Sequence, residues 1–363
     1  MASRLLVGTR KGLFCYARQG QRWGLESLAF RAAPVTIALI DPRDVTWYAG
    51  LNHGHFGVKL HRSPDGCEWE EIDPPSYPEK PDDPSDPNPW TLQQLWALEP
   101  GGRDQPGVLW AGTIPGGLFR SENGGASWEL NRPLWDLPGR RNWFGGGYDQ
   151  AGIHSVVVDP RDSAKVTVAI SSGGVWLTDD GGRSWSPRTN GMRATYMPPD
   201  QQEDSDSQDP HRLVSCPAQP DVLWVQHHCG VFRSGDRGGQ WSAIENVPPS
   251  CFGFAVAVHP SDPETAWLVP AESDEVRIPV DGRLSVARTR DGGQSWESLG
   301  HGLPQQDAYD LVYRHGLAID PSGTTLAMGS TTGNLWLSED QGEHWTHLNG
   351  HLPPIYCLRF EGT

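Results

Sequence analysis

One turn recurs six times along the 363-residue chain, each time closed by a tryptophan: Ser63 to Trp69, Ser121 to Trp128, Thr178 to Trp185, Ser234 to Trp241, Thr289 to Trp296 and Ser338 to Trp345. Each copy runs from Ser or Thr to Asp or Asn two residues on, then to Gly, and the closing tryptophans lie 59, 57, 56, 55 and 49 residues apart. An Asp or Asn side chain bonds the backbone N–H groups of its own turn and Gly supplies a positive φ, so each copy reads as a hairpin turn between short strands. The tryptophan then starts the next strand and packs between neighbouring sheets. A hairpin-based unit repeating near 40–50 residues is the period of a propeller blade.

The units also open alike. An apolar strand ends at Asp41-Pro42, Asp159-Pro160, His259-Pro260 or Asp320-Pro321, and a second carries an aromatic residue followed by small ones, as in Trp47-Tyr48-Ala49-Gly50. A third strand leads into the recurrent turn and a fourth follows its tryptophan, which makes a four-stranded blade. The N-terminal stretch has three such strands but no inner one, whereas Ile355 to Phe360 is a lone inner strand. Together they complete a seventh blade and remove the open sheet edges. The predicted fold is therefore all-β: a single seven-bladed β-propeller of four-stranded blades over 1–363, with its closing blade shared between the N- and C-termini. Blade 1 is 354–361 plus 3–30, blade 2 is 34–72, blade 3 is 92–131, blade 4 is 153–187, blade 5 is 211–244, blade 6 is 252–299 and blade 7 is 313–348.

Composition fits this reading. The 43 Gly and 32 Pro favour turns over long helices, and 17 Trp bring enough apolar surface to offset the ordering entropy. A net charge of −16 without a Lys/Arg cluster argues against nucleic acid and anionic membranes as partners, leaving a small-molecule ligand; oligomeric state stays open. There is no run of 18 apolar residues, no apolar leader near the start and no CxxC pair among the six Cys, so a cytoplasmic location is expected.

In antiparallel four-stranded blades, the starts of the inner strands and the turns between second and third strands share one face, opposite the recurrent turns. Most of the 13 His fall on that first face. Imidazoles converging from different blades can hold Zn or Fe, and His154, His211 and His228 are the preferred ligands, with His53 and His315 in reserve and Asp209 or Glu272 as carboxylate. The same imidazoles can serve as general acids and bases, and the alternative for them is hydrogen bonding inside a wet channel. Arg10, Lys11, Arg277 and Arg314 are candidates to grip an anionic group, and Trp143, Tyr148, Phe254 and His315 to contact the rest of a ligand. Segments 73–91, 131–152, 186–210 and 300–313 precede inner strands and are expected to project over the mouth. They carry Trp90, Trp135, Trp143, Tyr148, Tyr196 and Tyr309, either as a ligand-stacking lid hinged at Gly145 to Gly147 or as packing that fastens the loops to the propeller.

The recurrent turn resembles the Asp-box, or BNR repeat, Ser-x-Asp-x-Gly-x-x-Trp. Over essentially its whole length the chain resembles the sialidase-like Asp-box propellers, which include sialidases, sortilin-type receptors and a photosystem assembly factor. Segments Gly8 to Phe14, Gln208 to Arg212 and Gly329 to Gly333 are similar to those of bacterial intracellular BNR proteins of the glycosyl hydrolase or exo-sialidase-like kind. A sialidase-type site would draw an arginine triad from Arg10, Arg314 and either Arg277 or Arg141, and a nucleophile from Tyr309 activated by Glu272 or Glu275. However, Arg277-Ile278-Pro279, similar to the sialidase Arg-Ile-Pro motif, lies between the fourth and fifth boxes instead of before the first, which speaks against classical sialidase activity. Asp310 with Glu272 or Glu275 is the pair that a two-carboxylate glycosidase would need, unless Asp310 merely pairs with Arg314. The resemblance implies a hydrolase or lyase that binds a small polar, anionic or sugar-like ligand in the axial pocket and works through a His-rich centre. The alternative is a non-catalytic ligand-binding or assembly-scaffold propeller.

Overall fold

The computed structural model describes residues 2–20, 22–83, 86, 88–145 and 148–363. Its strands form seven four-stranded sheets, each antiparallel throughout. In one of them the C-terminal strand Ile355–Phe360 pairs with Arg4–Thr9, Leu5 opposite Phe360, so the two ends of the chain close the ring within blade 1.

Inner strands Ile355–Phe360, Val35–Ile40, Gln94–Pro100, Ile153–Val158, Pro210–Cys216, Gly253–Val258 and Leu317–Ile319 each touch the next, and the last touches the first. A strand covered on both faces by neighbouring blades has no polar side to present, which is why Val35–Ile40 and Gly253–Val258 are buried at every position. The core accordingly lies between the sheets as one apolar cluster after another; Leu39, Ala49, Leu98 and Leu109, for example, join blades 2 and 3. Each large buried side chain contributes roughly 1.5–3 kcal/mol.

All six recurrent turns share one internal bond, from a Gly N–H to the Ser or Thr hydroxyl. In blade 4, Thr178 Oγ1 accepts the Gly182 N–H and donates to Asp180 Oδ1, which accepts the N–H groups of Arg183 and Ser184 at 2.9 Å. In every copy the Ser or Thr hydroxyl accepts a Gly N–H at 2.8–2.9 Å. Two of the closing tryptophans tie a blade to the one before it by hydrogen bonds: Trp185 Nε1 donates to Asn131 and Trp241 Nε1 to the Arg188 carbonyl, both at 2.9 Å. Because these turns follow the third strand, antiparallel pairing places them on the face opposite the inner-strand starts.

Candidate functional site

Six of the seven inner strands open with a β-bulge. Thr36, Trp96, His154, His211 and Tyr356 are each an extra residue opposite a continuous partner strand, and a sixth shift lies between Gly253 and Val256, at Phe254. A bulge re-aims the side chain it carries. Repeated at one level, it puts one side chain from each blade at the axial mouth, His315 being blade 7's. The bulged residues also fasten the ring. Thr36 Oγ1 donates to the Leu95 carbonyl, His154 Nε2 to that of Pro210 and His211 Nδ1 to that of Gly253, each to the residue just before the next blade's bulge.

Above this ring lies a cavity of about 350 Å³, lined among others by Thr36, Gln94, Trp96, Tyr148, Phe254, Tyr313, Arg314 and Tyr356. That volume is at the small end of the roughly 300–1,000 Å³ range of ligand pockets. At its floor His315 Nε2 donates to the His154 carbonyl across the channel at 2.8 Å. Arg314 is buried, 8% exposed, between two aromatic faces, its guanidinium carbon 4.9 Å from the Trp96 ring centre and 5.3 Å from that of Phe254. Its Nε has no hydrogen-bond partner, and among the described residues no carboxylate lies within ion-pair distance of it. Aromatic faces attract a cation but offer the N–H groups no acceptor. Burial lowers the Arg314 pKa.

Behind the Phe254 ring stands a second group. His211 stacks on Phe254 at 4.5 Å and 16°. Its Nε2 is 3.5 Å from Asp209 Oδ2, and His228 Nδ1 lies 3.4 Å from the same oxygen. The far side of His228 meets Asp274 Oδ2 at 3.5 Å, while Arg277 Nη2, on the cavity wall, binds Asp274 Oδ1. One short loop thus connects the cavity to the triad. Burial alone would raise the Asp209 carboxyl; His211, His228 and the charge of Arg314 hold it well below the usual carboxylate range. Burial lowers the His211 imidazole against the pull of Asp209. Asp209 and His211 are nearly sealed, whereas His228 keeps 20% of its side chain exposed, under the edge of Tyr196.

The sequence-predicted residues divide accordingly. Tyr148, Phe254, Arg277, Arg314 and His315 line the cavity; Asp209, His211 and His228 form the triad. His154 is not free to ligate a metal: Nε2 bonds the Pro210 carbonyl and Nδ1 meets the Ser155 hydroxyl at 2.9 Å. His53 sits on a turn of blade 2, outside the triad. Trp143 is a core residue packed against Trp176, not a ligand contact. Tyr309, 66% exposed, lines a separate depression with Asp281 and Gln306. Asp310 neither pairs with Arg314 nor faces the cavity; its carboxylate accepts from Ser330, Thr332 and Asn334. Glu272 is exposed on the loop of Asp274, and Arg10 and Lys11 are exposed on the turn after Arg4–Thr9, none of them lining the cavity. Of the expected lid, Trp90 and Trp135 pack against each other at 5.3 Å, while Tyr148 and, at the end of segment 300–313, Tyr313 reach the pocket. The hinge residues Gly146 and Gly147 lie outside the described residues.

Thr36, Asn52, Tyr313 and Tyr356 line the cavity as well, unforeseen from sequence. A signal for part of this existed. Thr36, His154, His211, Phe254 and His315 all stand five residues before the Asp-Pro, His-Pro or Cys-Pro that ends their inner strand. The bulge makes that offset point to the axis, and counting back from the corner finds the ring.

No family model matches the chain. The oligoxyloglucan-reducing end-specific xyloglucanase of Emericella nidulans is 27% identical over 288 residues, 69% of this chain and 32% of that protein. Xyloglucanase Xgh74A of Acetivibrio thermocellus is 23% identical over 266 residues, 64% of this chain and 29% of that protein. The chain thus spans about a third of the length of these curated relatives. Among solved structures, the GH74 xyloglucanase from Xanthomonas campestris superposes with a TM-score of 0.65 at 19% identity, covering 99% of this chain and 53% of that one. This likeness shows the shared propeller fold.

Proposed function

We propose that this chain is a hydrolase or lyase that holds a small anionic, sugar-like ligand in the axial cavity, its acidic group on Arg314. The observation that carries this reading is the guanidinium itself. An unpaired buried charge costs several kcal/mol, and the cost is recovered when an anion of matching geometry supplies the missing acceptors. Trp96, Tyr148, Tyr313 and Tyr356 offer faces for a ring, and the Gln94 and Asn52 amides offer partners for hydroxyls. Similarity to xyloglucanases supports a glycosidic substrate.

Hydrolysis by two carboxylates needs an acid and a second carboxylate about 5–9.5 Å apart. Among the described residues no Asp or Glu lines the cavity. The chemistry is therefore assigned to Asp209, His211 and His228, one ring away, where His228 is the member open to solvent. The test is a panel of uronic-acid oligosaccharides and their neutral counterparts, followed by calorimetry and product analysis. Acidic members should bind and be cleaved, and Asp209→Asn should keep binding while losing roughly 10²–10⁴-fold in turnover. Binding without turnover across the panel would leave the non-catalytic reading; equal binding of acidic and neutral sugars would overturn the assignment to Arg314.

A further inference from the structure

The triad has an internal order that hydrogen bonding within a wet channel does not explain. Each member turns one atom towards the others and a second towards a partner outside the group. His211 donates Nδ1–H to the Gly253 carbonyl at 2.6 Å, which leaves the Nε2 lone pair facing Asp209. His228 directs Nε2 at the Asp274 carboxylate, which leaves Nδ1 facing Asp209. Asp209 accepts the Ser172 N–H on Oδ1 at 3.0 Å, which leaves Oδ2 facing both imidazoles. Ser172 presents that N–H from φ 48°, in the left-handed region that a non-glycine residue seldom occupies.

Two nitrogens and one oxygen thus converge with all their ligand atoms within 4.8 Å of one another, His211 and Asp209 each held by an outer hydrogen bond and His228 facing the Asp274 carboxylate. The two gaps to Asp209 Oδ2, 3.4 and 3.5 Å, are long for hydrogen bonds. They match the edge of a tetrahedral site, since metal–ligand bonds of about 2.0–2.1 Å span edges of about 3.3–3.4 Å. Carbonyl and carboxylate partners behind ligating imidazoles are the usual means of fixing their tautomers.

We propose that Asp209, His211 and His228 bind one divalent first-row metal ion, zinc or iron(II) in kind, with an open position on the side of His228 that faces solvent. Two His and one carboxylate with a free coordination position is a ligand set for both ions. Asp274 is a positioning residue: it orients His228 and, through Arg277, links the ion to the wall of the ligand cavity. The site stands on its own geometry; only its use in turnover rests on the function proposed above.

The test uses the full chain stripped with a chelator and titrated with Zn²⁺ or Co²⁺ alone. The wild type should take up about one equivalent, with ligand-field absorption of bound Co²⁺ typical of a tetrahedral site. His228→Ala and Asp209→Asn should abolish that uptake, and Asp274→Asn should weaken it about 10–100-fold. His53→Ala should leave it unchanged and Arg314→Met, which removes a positive charge acting on Asp209, should not weaken it, so failure of the anion site and failure of the metal site are separate results. Thermal melts check that each variant is folded, and Asp274→Asn, which removes no ligand, keeps the test alive if the others unfold. Uptake below about a tenth of an equivalent by the wild type, or full uptake by His228→Ala, would overturn the proposal.

Discussion

The two faces of the propeller use similar polar side chains in opposite ways. On the face of the recurrent turns the Ser or Thr hydroxyl and the Asp or Asn carbonyl or carboxylate are answered within their own turn: Asp180 Oδ1 takes two N–H groups and one hydroxyl, and Thr178 both accepts and donates. At the axial mouth, Arg314 is sunk between Trp96 and Phe254 with no acceptor, and the lone pairs of His211 and His228 turn towards Asp209 with gaps longer than hydrogen bonds. The first arrangement consumes its bonding capacity in holding a shape. The second keeps capacity in reserve, and reserve capacity in a buried place is what a ligand can use. Residue type alone does not separate the faces, since both are rich in charged groups.

Substitutions can sharpen or break that contrast. The largest expected effect is on the mouth: Arg314→Met should weaken binding of an acidic saccharide by about 2–5 kcal/mol, roughly 30-fold to several-thousand-fold, in calorimetric titration. Next comes a buried ion pair that does have its partner. Arg140 Nη2 lies 2.5 Å from Asp86 Oδ2, with side chains only 6% and 5% exposed, and its guanidinium stacks on Trp135. Arg140→Ala should therefore cost about 3–5 kcal/mol in denaturant unfolding, without altering ligand binding.

Smaller effects belong to the face of the recurrent turns. Thr178→Val keeps the shape but strips the acceptor from the buried Gly182 N–H, at a cost of about 1–3 kcal/mol in the same measurement. The smallest concerns pH. Hydrogen bonds from Ser295 hold the Asp291 carboxyl down at about 2, below the unfolded value of about 3.9. A lowered folded pKa contributes stability above the unfolded value that is lost as pH falls towards the folded one. Melting curves of Asp291→Asn and wild type should accordingly converge between about pH 4 and pH 2; a gap that stays constant there would show that the carboxylate is not what the turn depends on.

How far the sequence leads follows the same division. The fold was legible because it rests on local chemistry: six recurrent turns, Asp-Pro corners, and three strands at one end matched by a lone strand at the other dictate hairpins and closure whatever the distant contacts are. The face of the site followed from strand direction, and His211, His228, Asp209 and Arg314 with it. What sequence could not separate was use from bystanding. His154 and His211 occupy equivalent bulges in adjacent blades, yet a serine at 155 and a carbonyl occupy both nitrogens of the first, while a carbonyl takes only one of the second. Asp310 looked free until blade 7 supplied Ser330, Thr332 and Asn334. Trp143 and Tyr148, five residues apart, go one into the core and the other to the pocket. Each of these outcomes depends on which partner arrives from another strand or loop, and no spacing along the chain encodes that.

The central claim, that the guanidinium of Arg314 is held in reserve for a ligand and holds nothing together, is open to one direct measurement. Denaturant unfolding of Arg314→Met and wild type is compared in ligand-free buffer. Replacing an unpaired buried charge by an apolar side chain is neutral or stabilising, so the variant should be at least as stable as the wild type. A loss of about 2 kcal/mol or more would mean that Arg314 is a structural residue with partners of its own, and would contradict the account.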